Sequence, residues 1–511
     1  MAAAAAFCAV NMEKTCGIQI INGNGNKNIA NGKELGLKIF LVASECVPFI
    51  KTGGLADVVG ALPAALKKLG AEVSVLIPKY SMIPQQFRKE MQHITDFSIQ
   101  LGWRKQYVGV EKIHREGIDF YFADNEFYFK QDYVYSSGDF EAERYCWFSK
   151  AALEIMQKLD IVPDIIHLND WQTGMIPLLL REQYSTLPEF SRVKTVFTIH
   201  NLRYQGLMNP MLVNDLLSLG QNALAQIEYY CNINCMKAGI IYSDAVTTVS
   251  PTYAKEICTP RCGETLDGLL RHKHIAGILN GIDKKLYNPW TDKALCSRFS
   301  KNQPQGKQKC KSALQTALGL EQSEERPVAA VISRLTNQKG LDLFRAVIPG
   351  LLDLGAQLVI LGMGDAEYER MFADLAAINP SSVAFRAEMN DALARQIYAG
   401  ADIFLMPSAF EPCGLSQLLA MRYGAIPVVR ETGGLADTVI PYNRFTDEGT
   451  GFSFRNYSAD ELYNASRAAI ELYCGDKAAW QRLTARAMAA DFGWSRSAGE
   501  YLHLYKTLKM N

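Results

Sequence analysis

The sequence predicts an α/β fold built from two doubly wound, Rossmann-like domains. Three observations predict it. From Leu37 onward, short apolar runs of strand length alternate with stretches of helical periodicity, the pattern of a parallel sheet covered on both faces. The alternation lapses in a polar stretch, Asn288–Arg326, and then resumes. The hexapeptide T-G-G-L-A-D occurs once in each half, at Thr52–Asp57 and at Thr432–Asp437. At 511 residues the chain also exceeds what one ordinary core organises.

Residues 1–36 read as a disordered leader. Ala2–Ala6 lacks the basic flank of a secretory signal, and Asn22–Gly32 is rich in Asn and Gly. Gly23-x-Gly25 has no strand before it, so it is not a nucleotide fingerprint. The first domain, 37–279, has strand-like runs at Lys38–Ala43, Glu72–Ile77, Asp119–Ala123, Asp164–Leu168, Thr195–Ile199 and Ala245–Val249. Amphipathic stretches at Leu55–Lys68, Glu143–Leu159 and Trp171–Gln183 lie between them. The boundary falls near Asn280–Tyr287, and Asn288–Arg326 reads as a connection plus a surface helix. The second domain, 280–491, has runs at Val328–Ile332, Gln357–Leu361, Val383–Arg386, Asp402–Met406 and Ala425–Val429. The aromatic, helical stretch Phe492–Lys509 is expected to carry 492–511 back onto the first domain.

Composition narrows the function. Lys plus Arg equals Asp plus Glu at 53 each, which argues against a dedicated nucleic-acid binder. No apolar run approaches the roughly 18 residues of a membrane span. Twelve scattered cysteines fit reduced thiols in a cytosol-like compartment. Cys231/Cys235 and Cys258/Cys262, with His272 and His274 nearby, have loose metal-like spacing, and free thiols are the preferred reading.

Ligands of open parallel sheets bind beyond the carboxyl ends of the strands, so the polar residues there carry the functional reading. Paired glycines opening a helix present free amides and the positive end of a dipole, which binds anions. Thr432-Gly433-Gly434 and Gly53-Gly54 are two such turns. Arg334 and Lys339 follow Val328–Ile332, and a guanidinium fork with a mobile ammonium suits a departing diphosphate. Gly362-x-Gly364-Asp365 lacks the third glycine of a dinucleotide fingerprint, and no P-loop exists. His200 ends a strand, and Glu411 stands at the start of a helix, where the dipole favours a carboxylate.

Six ordered segments then resemble one family: K-T-G-G-L-A-D-V-V-G-A-L-P (Lys51–Pro63), T-I-H-N-L (Thr198–Leu202), L-N-G-I-D (Leu279–Asp283), S-R-L-T-N-Q-K-G (Ser333–Gly340), P-S-A-F-E-P-C-G-L (Pro407–Leu415) and T-G-G-L-A-D-T-V (Thr432–Val439). They are similar to the glycogen and starch synthases that use ADP-glucose, retaining glycosyltransferases of family 5, over roughly Leu37 to Leu508. The resemblance implies a GT-B fold, two Rossmann-like domains facing across a deep cleft. It implies transfer of glucose from ADP-glucose to the non-reducing end of an α-1,4-glucan, with no metal or other cofactor. It gives Glu411, His200, Arg334 and Lys339 catalytic roles, and gives Lys51, Gly53, Gly54, Asp57, Asn280, Gly362, Thr432, Gly433 and Gly434 contacts to the substrate. Glycogen or starch is the implied partner, and cytoplasm, or alternatively plastid, the implied location. The chain departs from the pattern at Met389, where an aromatic residue often faces the adenine, and at Arg261-Cys262, where relatives commonly read Glu-Tyr.

Two alternatives stay open on sequence alone. One is a related retaining enzyme that takes UDP-glucose. The other is a non-catalytic glucan-binding protein, which predicts damage at Arg334, Lys339, His200 or Glu411; all four are intact. A hydrolase would need two carboxylates across the bond and leaves the Arg/Lys pair without a purpose. Losing Lys339 is expected to lower turnover while barely changing stability, as for any cation lining a cleft.

Overall fold

Lys38–Val42, almost wholly buried, lies at the centre of a nine-stranded sheet. It pairs in parallel with Glu72–Pro78 on one side and Ile165–Asn169 on the other. Lys194–Ile199, Ala245–Thr248 and Ile275–Gly277 continue the parallel sheet past Ile165–Asn169. On the opposite flank Ile118–Asp124 pairs in parallel with Glu72–Pro78, and Arg104–Arg115 and Gln92–Leu101 close the sheet as an antiparallel hairpin. A second sheet has six parallel strands, in the order Val383–Arg386, Gln357–Leu361, Val328–Ile332, Ile403–Met406, Ile426–Arg430, Phe452–Phe454. The computed structural model describes residues 36–510, so the alanine run, the Asn/Gly-rich stretch and Gly23-x-Gly25 lie outside the described residues.

Each apolar run singled out in the sequence is a strand of one of these sheets. Burial on both faces selects continuous Val, Ile, Leu and Phe. The hairpin Gln92–Arg115 gave no such signal. It is an edge, half exposed, and its polar alternation resembles a loop. Short strands such as Phe452–Phe454, and a small antiparallel sheet of Leu207–Met208, Asn232–Asn234 and Glu228–Tyr229, also escaped notice.

From Leu37 on, the chain is one compact unit holding two hydrophobic cores, one per sheet. The helix Trp494–Met510 buries Trp494, Ala498, Tyr501 and Tyr505 in the core of the nine-stranded sheet. There Tyr505 Oη lies 2.7 Å from His167 Nδ1, while His167 Nε2 lies 2.6 Å from Thr198 Oγ1. A chain that has crossed to the second lobe is thus tied back to the first by a buried polar relay.

The helix Gln305–Leu318 corrects the surface reading of its segment. Lys311 is buried, with Nζ 2.8 Å from Asp402 Oδ2 and donating to Tyr473 Oη at 2.7 Å. Lys307 Nζ donates to the carbonyls of Ala399, Ala401 and Tyr423. Desolvation brings its pKa down to about 8. Composition made these lysines look solvated; their partners are distant in sequence and allow burial.

Candidate active site

The two lobes meet along a short seam, and the second T-G-G-L-A-D lies in it. Glu256 ends the first-lobe helix Pro251–Glu256, and its carboxylate accepts the Gly433 amide at 3.1 Å and the Thr432 hydroxyl at 3.0 Å. In return Asp437 accepts the Thr252 amide at 2.8 Å and its hydroxyl at 2.7 Å. Each helix thereby caps the other's N-terminus across the lobes. Ser250 Oγ adds a bond to the Pro412 carbonyl at 2.6 Å.

The first T-G-G-L-A-D is built alike within its own lobe. Glu45, buried just past the central strand, accepts the Thr52 amide, the Thr52 hydroxyl at 3.0 Å and the Gly53 amide at 3.3 Å. Burial raises the Glu45 pKa against these bonds and that from Tyr135. Both turns do bind an anion, and in each case it is a glutamate of the protein.

The glycines of the two turns differ in what they permit. A Cβ on Gly433 would lie 2.0 Å from the Glu411 carbonyl, and one on Gly434 would lie 2.1 Å from that of Cys413. Gly433 also has φ +44, and the Gly434 amide already donates to the Glu411 carbonyl at 3.1 Å. The expectation that Thr432, Gly433 and Gly434 offer free amides to a ligand is therefore corrected: Gly433 and Gly434 donate to protein, and the glycines let this turn press against the Glu411 backbone. Gly53 has nothing within 4 Å of its Cβ position, and Gly54 has only Leu415 Cδ1 of the other lobe, at 3.7 Å. That bend faces open space between the lobes.

Within the second lobe, Lys339 and Glu411 come together. They follow the adjacent strands Val328–Ile332 and Ile403–Met406, and Lys339 Nζ lies 2.7 Å from Glu411 Oε2. Ser408 Oγ donates to the same oxygen at 3.2 Å. Glu411 is buried, and a charged partner is what a buried carboxylate requires. Arg334 is exposed and makes no ion pair among the described residues. Gly362 follows the next strand, where a Cβ would lie 1.9 Å from the Ser333 carbonyl; its glycine keeps the Arg334 loop closely packed. Asn280 is 6 % exposed, and its Oδ1 has no partner among the described residues.

On the first lobe, Asn169 Nδ2 donates to the carbonyls of Val42 and His167. Its Oδ1 must then accept from His200 Nε2–H, 2.9 Å away, so the His200 lone pair is on Nδ1. Burial pushes the His200 pKa down to about 3 and holds the ring neutral. Asp170, with φ +56, accepts the His200 amide at 2.7 Å, and burial raises its pKa to about 7. At the rim Lys51 pairs with Asp57 at 2.8 Å, and Asp57 is raised by burial and by Asp391 of the second lobe.

The comparisons with known proteins agree with this architecture. The starch synthase catalytic domain family matches residues 38–272, and the group 1 glycosyl transferases match residues 319–485. The glycogen synthase of Anoxybacillus flavithermus is 47% identical over 92% of this chain and 98% of its own length. That of Bacillus cereus is 48% identical over 92% of this chain and 100% of its own. The chain belongs to the glycogen synthase family. The catalytic domain of starch synthase IV from Arabidopsis thaliana, solved bound to ADP and acarbose, is 34% identical, with a TM-score of 0.86 over 93% of this chain and 100% of its own. Sucrose-phosphate synthase from Thermosynechococcus elongatus, 19% identical at a TM-score of 0.60, shares the two-domain GT-B fold.

As a glycogen synthase family member the chain is a hexosyltransferase on a GT-B scaffold. Among the described residues no group of three or more His, Cys, Asp or Glu is placed to hold a metal ion. No described helix is long and apolar enough to cross a membrane. Glu256 and Asp437 had no role in the sequence reading. Glu256 has no local signal, because its partner turn lies 177 residues away. Asp437 did have one, its place in a repeated hexapeptide whose first copy also uses its aspartate.

Proposed function

We propose that this enzyme transfers glucose from ADP-glucose to the non-reducing end of an α-1,4-glucan, with retention of anomeric configuration. The observation that carries the reading is the Lys339–Glu411 pair at the ends of adjacent second-lobe strands, beside the unpaired Arg334. In this reading 280–491 holds the nucleotide sugar, and 37–279, with 492–511, holds the acceptor.

Glycosyl transfer builds positive character on the sugar and negative charge on the leaving phosphate. Arg334 and Lys339 neutralise the diphosphate, and preorganised cations in a closed site lower the barrier by stabilising charge as it develops. Glu411 accepts glucose hydroxyls and steadies the anomeric carbon. Lys339 is shared between Glu411 and the phosphate, so donor binding redistributes one cation between two anions. No metal ion is required in this scheme.

His200, neutral and aimed by Asn169, offers its Nδ1 lone pair to a sugar hydroxyl. Asn280 Oδ1, buried and unpaired, is a second acceptor for a hydroxyl. Lys51, Gly53, Gly54 and Asp57 line the donor from the first lobe, while Gly362 and Thr432–Gly434 act through the backbone they support. Met389, 78% exposed beyond Val383–Arg386, presents a thioether face to the base. Closure of the lobes completes the site and excludes the water that would waste the donor. The cytoplasm, or a plastid stroma, is the setting this substrate pair implies.

The test is incubation with ADP-glucose and a maltooligosaccharide, with UDP-glucose in parallel. Longer chains and ADP are expected. Preference for UDP-glucose would reassign the donor, and glucan binding without turnover of either donor would overturn the enzymatic reading.

A further inference from the structure

A cavity of about 230 Å³ opens between the lobes, with Ala409 and Phe410, just before Glu411 in the chain, in its lining. Arg203, Tyr253, Arg261 and Glu264 line it from the first lobe, and Phe410 and Tyr457 from the second. Arg203 and Arg261 are both exposed, and neither side chain makes an ion pair or hydrogen bond among the described residues. The Arg203 guanidinium sits 5.9 Å above the Phe410 ring. A third arginine lies behind the wall: Arg430 Nε donates to the Ser408 carbonyl at 2.7 Å, and its guanidinium is 5.9 Å from the Tyr457 ring.

The loop that carries Arg261 is held in a costly shape. Glu264 and Thr265 are consecutive non-glycine residues with φ +45 and +64. Backbone in that region costs of order 1–3 kcal/mol per residue and persists where the surroundings enforce it, most often at ligand sites. Gly263 pins the loop, since a Cβ there would lie 2.6 Å from the Ile257 carbonyl.

Two kinds of chemistry meet in this cavity. Aromatic faces and one carboxylate, Glu264, suit a sugar ring and its hydroxyls. Two unpartnered guanidiniums suit a phosphoryl group, which they grip through forked, charge-assisted bonds. We propose that the cavity is a phosphoryl-binding subsite next to the transfer centre. It takes a phosphate monoester carried on the glucan acceptor, or free orthophosphate. The ester is favoured, because Tyr253, Phe410, Tyr457 and Glu264 have no use for a bare anion. The ester form rests on the glucan-acceptor reading above; binding of orthophosphate does not.

Binding of maltohexaose, of maltohexaose bearing a 6-phosphate, and of orthophosphate is measured by titration calorimetry on the full chain without donor. Acceptor kinetics with ADP-glucose accompany it. Arg203→Ala and Arg261→Ala, at exposed positions without partners, provide the variants. The phosphorylated chain is expected to bind roughly tenfold tighter than the neutral one, the worth of a charge-assisted contact, and its advantage should vanish in either variant. If the two chains bind equally and orthophosphate binds with loss in both variants, the subsite stands with the free ion as its ligand. If orthophosphate binds in that way but neither chain does, the glucan reading fails and the subsite survives. Equal binding of the two chains, together with no arginine-dependent binding of orthophosphate, overturns the proposal.

Discussion

Lys339 Nζ and Glu411 Oε2, 72 residues apart in sequence, stand 2.7 Å apart at the carboxyl ends of neighbouring strands. The ammonium that is to meet a leaving diphosphate is also the counter-ion of a buried carboxylate.

That pairing changes what Lys339→Ala should do. Turnover is expected to fall roughly 100-fold or more, as when any preorganised transition-state charge is removed. Stability should fall too, contrary to expectation for a simple cleft cation, because Glu411 is left with only Ser408: about 1–3 kcal/mol. Steady-state kinetics and thermal unfolding check both. Adding Glu411→Gln should recover stability without recovering turnover.

The two glycine-paired turns should respond differently to a methyl group. Gly433→Ala places its Cβ in the Glu411 carbonyl at φ +44. Its cost should exceed the roughly 1–3 kcal/mol of a strained position. Gly53→Ala meets nothing and should fold normally, with any loss confined to donor KM. Equal melting temperatures for the two variants would refute this division.

Glu256 and Asp437 each cap a helix of the opposite lobe. Glu256→Ala and Asp437→Ala should each cost about 0.5–2 kcal/mol, the usual worth of a cap. Both should also widen the molecule by small-angle scattering as the seam loosens. Unchanged scattering in both would show that the seam is held by packing alone.

Asn280→Ala removes a buried carbonyl oxygen that has no partner among the described residues. Stability should hold or rise, since an unpaired buried polar group is a burden. kcat/KM should fall about tenfold or more, the cost of losing one buried hydrogen bond to substrate. A drop in melting temperature with normal kinetics would assign Asn280 to the fold.

Acid should destabilise the protein. Burial pushes His167 and His200 down to about 3. Between there and the ordinary 6.5 the unfolded chain binds more protons, so stability is lost as pH falls through that window. Asp170, raised to about 7, works the other way between 3.8 and 7, and Glu45, also raised, adds to it. The carboxyls offset the histidines near pH 5–6. Below about pH 4 these two carboxyls are protonated in both states and no longer offset the histidines, while Asp447, Glu461 and Asp491, whose ion pairs and hydrogen bonds hold them below the ordinary carboxylate range, add to the loss. Unfolding midpoints from pH 6.5 to 3.5 should therefore drop most steeply at the acid end. In His167→Asn the acid slope should flatten by about 1.4 kcal/mol per pH unit. An identical slope in that variant would refute a neutral, buried His167.

The sequence by itself determined the sheets and the ends of their strands. A strand buried on both faces has to be apolar along its length, and this constraint is local enough to read. Val328–Ile332 and Gln357–Leu361 were legible to the residue, and Arg334, Lys339, His200 and Glu411 could be named from their places after such runs. The hairpin Gln92–Arg115 was not legible, because an edge strand answers to solvent on one face. Tertiary structure alone decided the partners. Free glycine amides look alike in the two T-G-G-L-A-D copies, yet Glu45 reaches one from within its lobe and Glu256 reaches the other across the seam. Lys307 and Lys311 read as surface charge until Asp402 and three carbonyls prove to surround them. Hydrogen bonds and ion pairs depend on where two distant backbones come to rest, and neither residue carries a mark of the other.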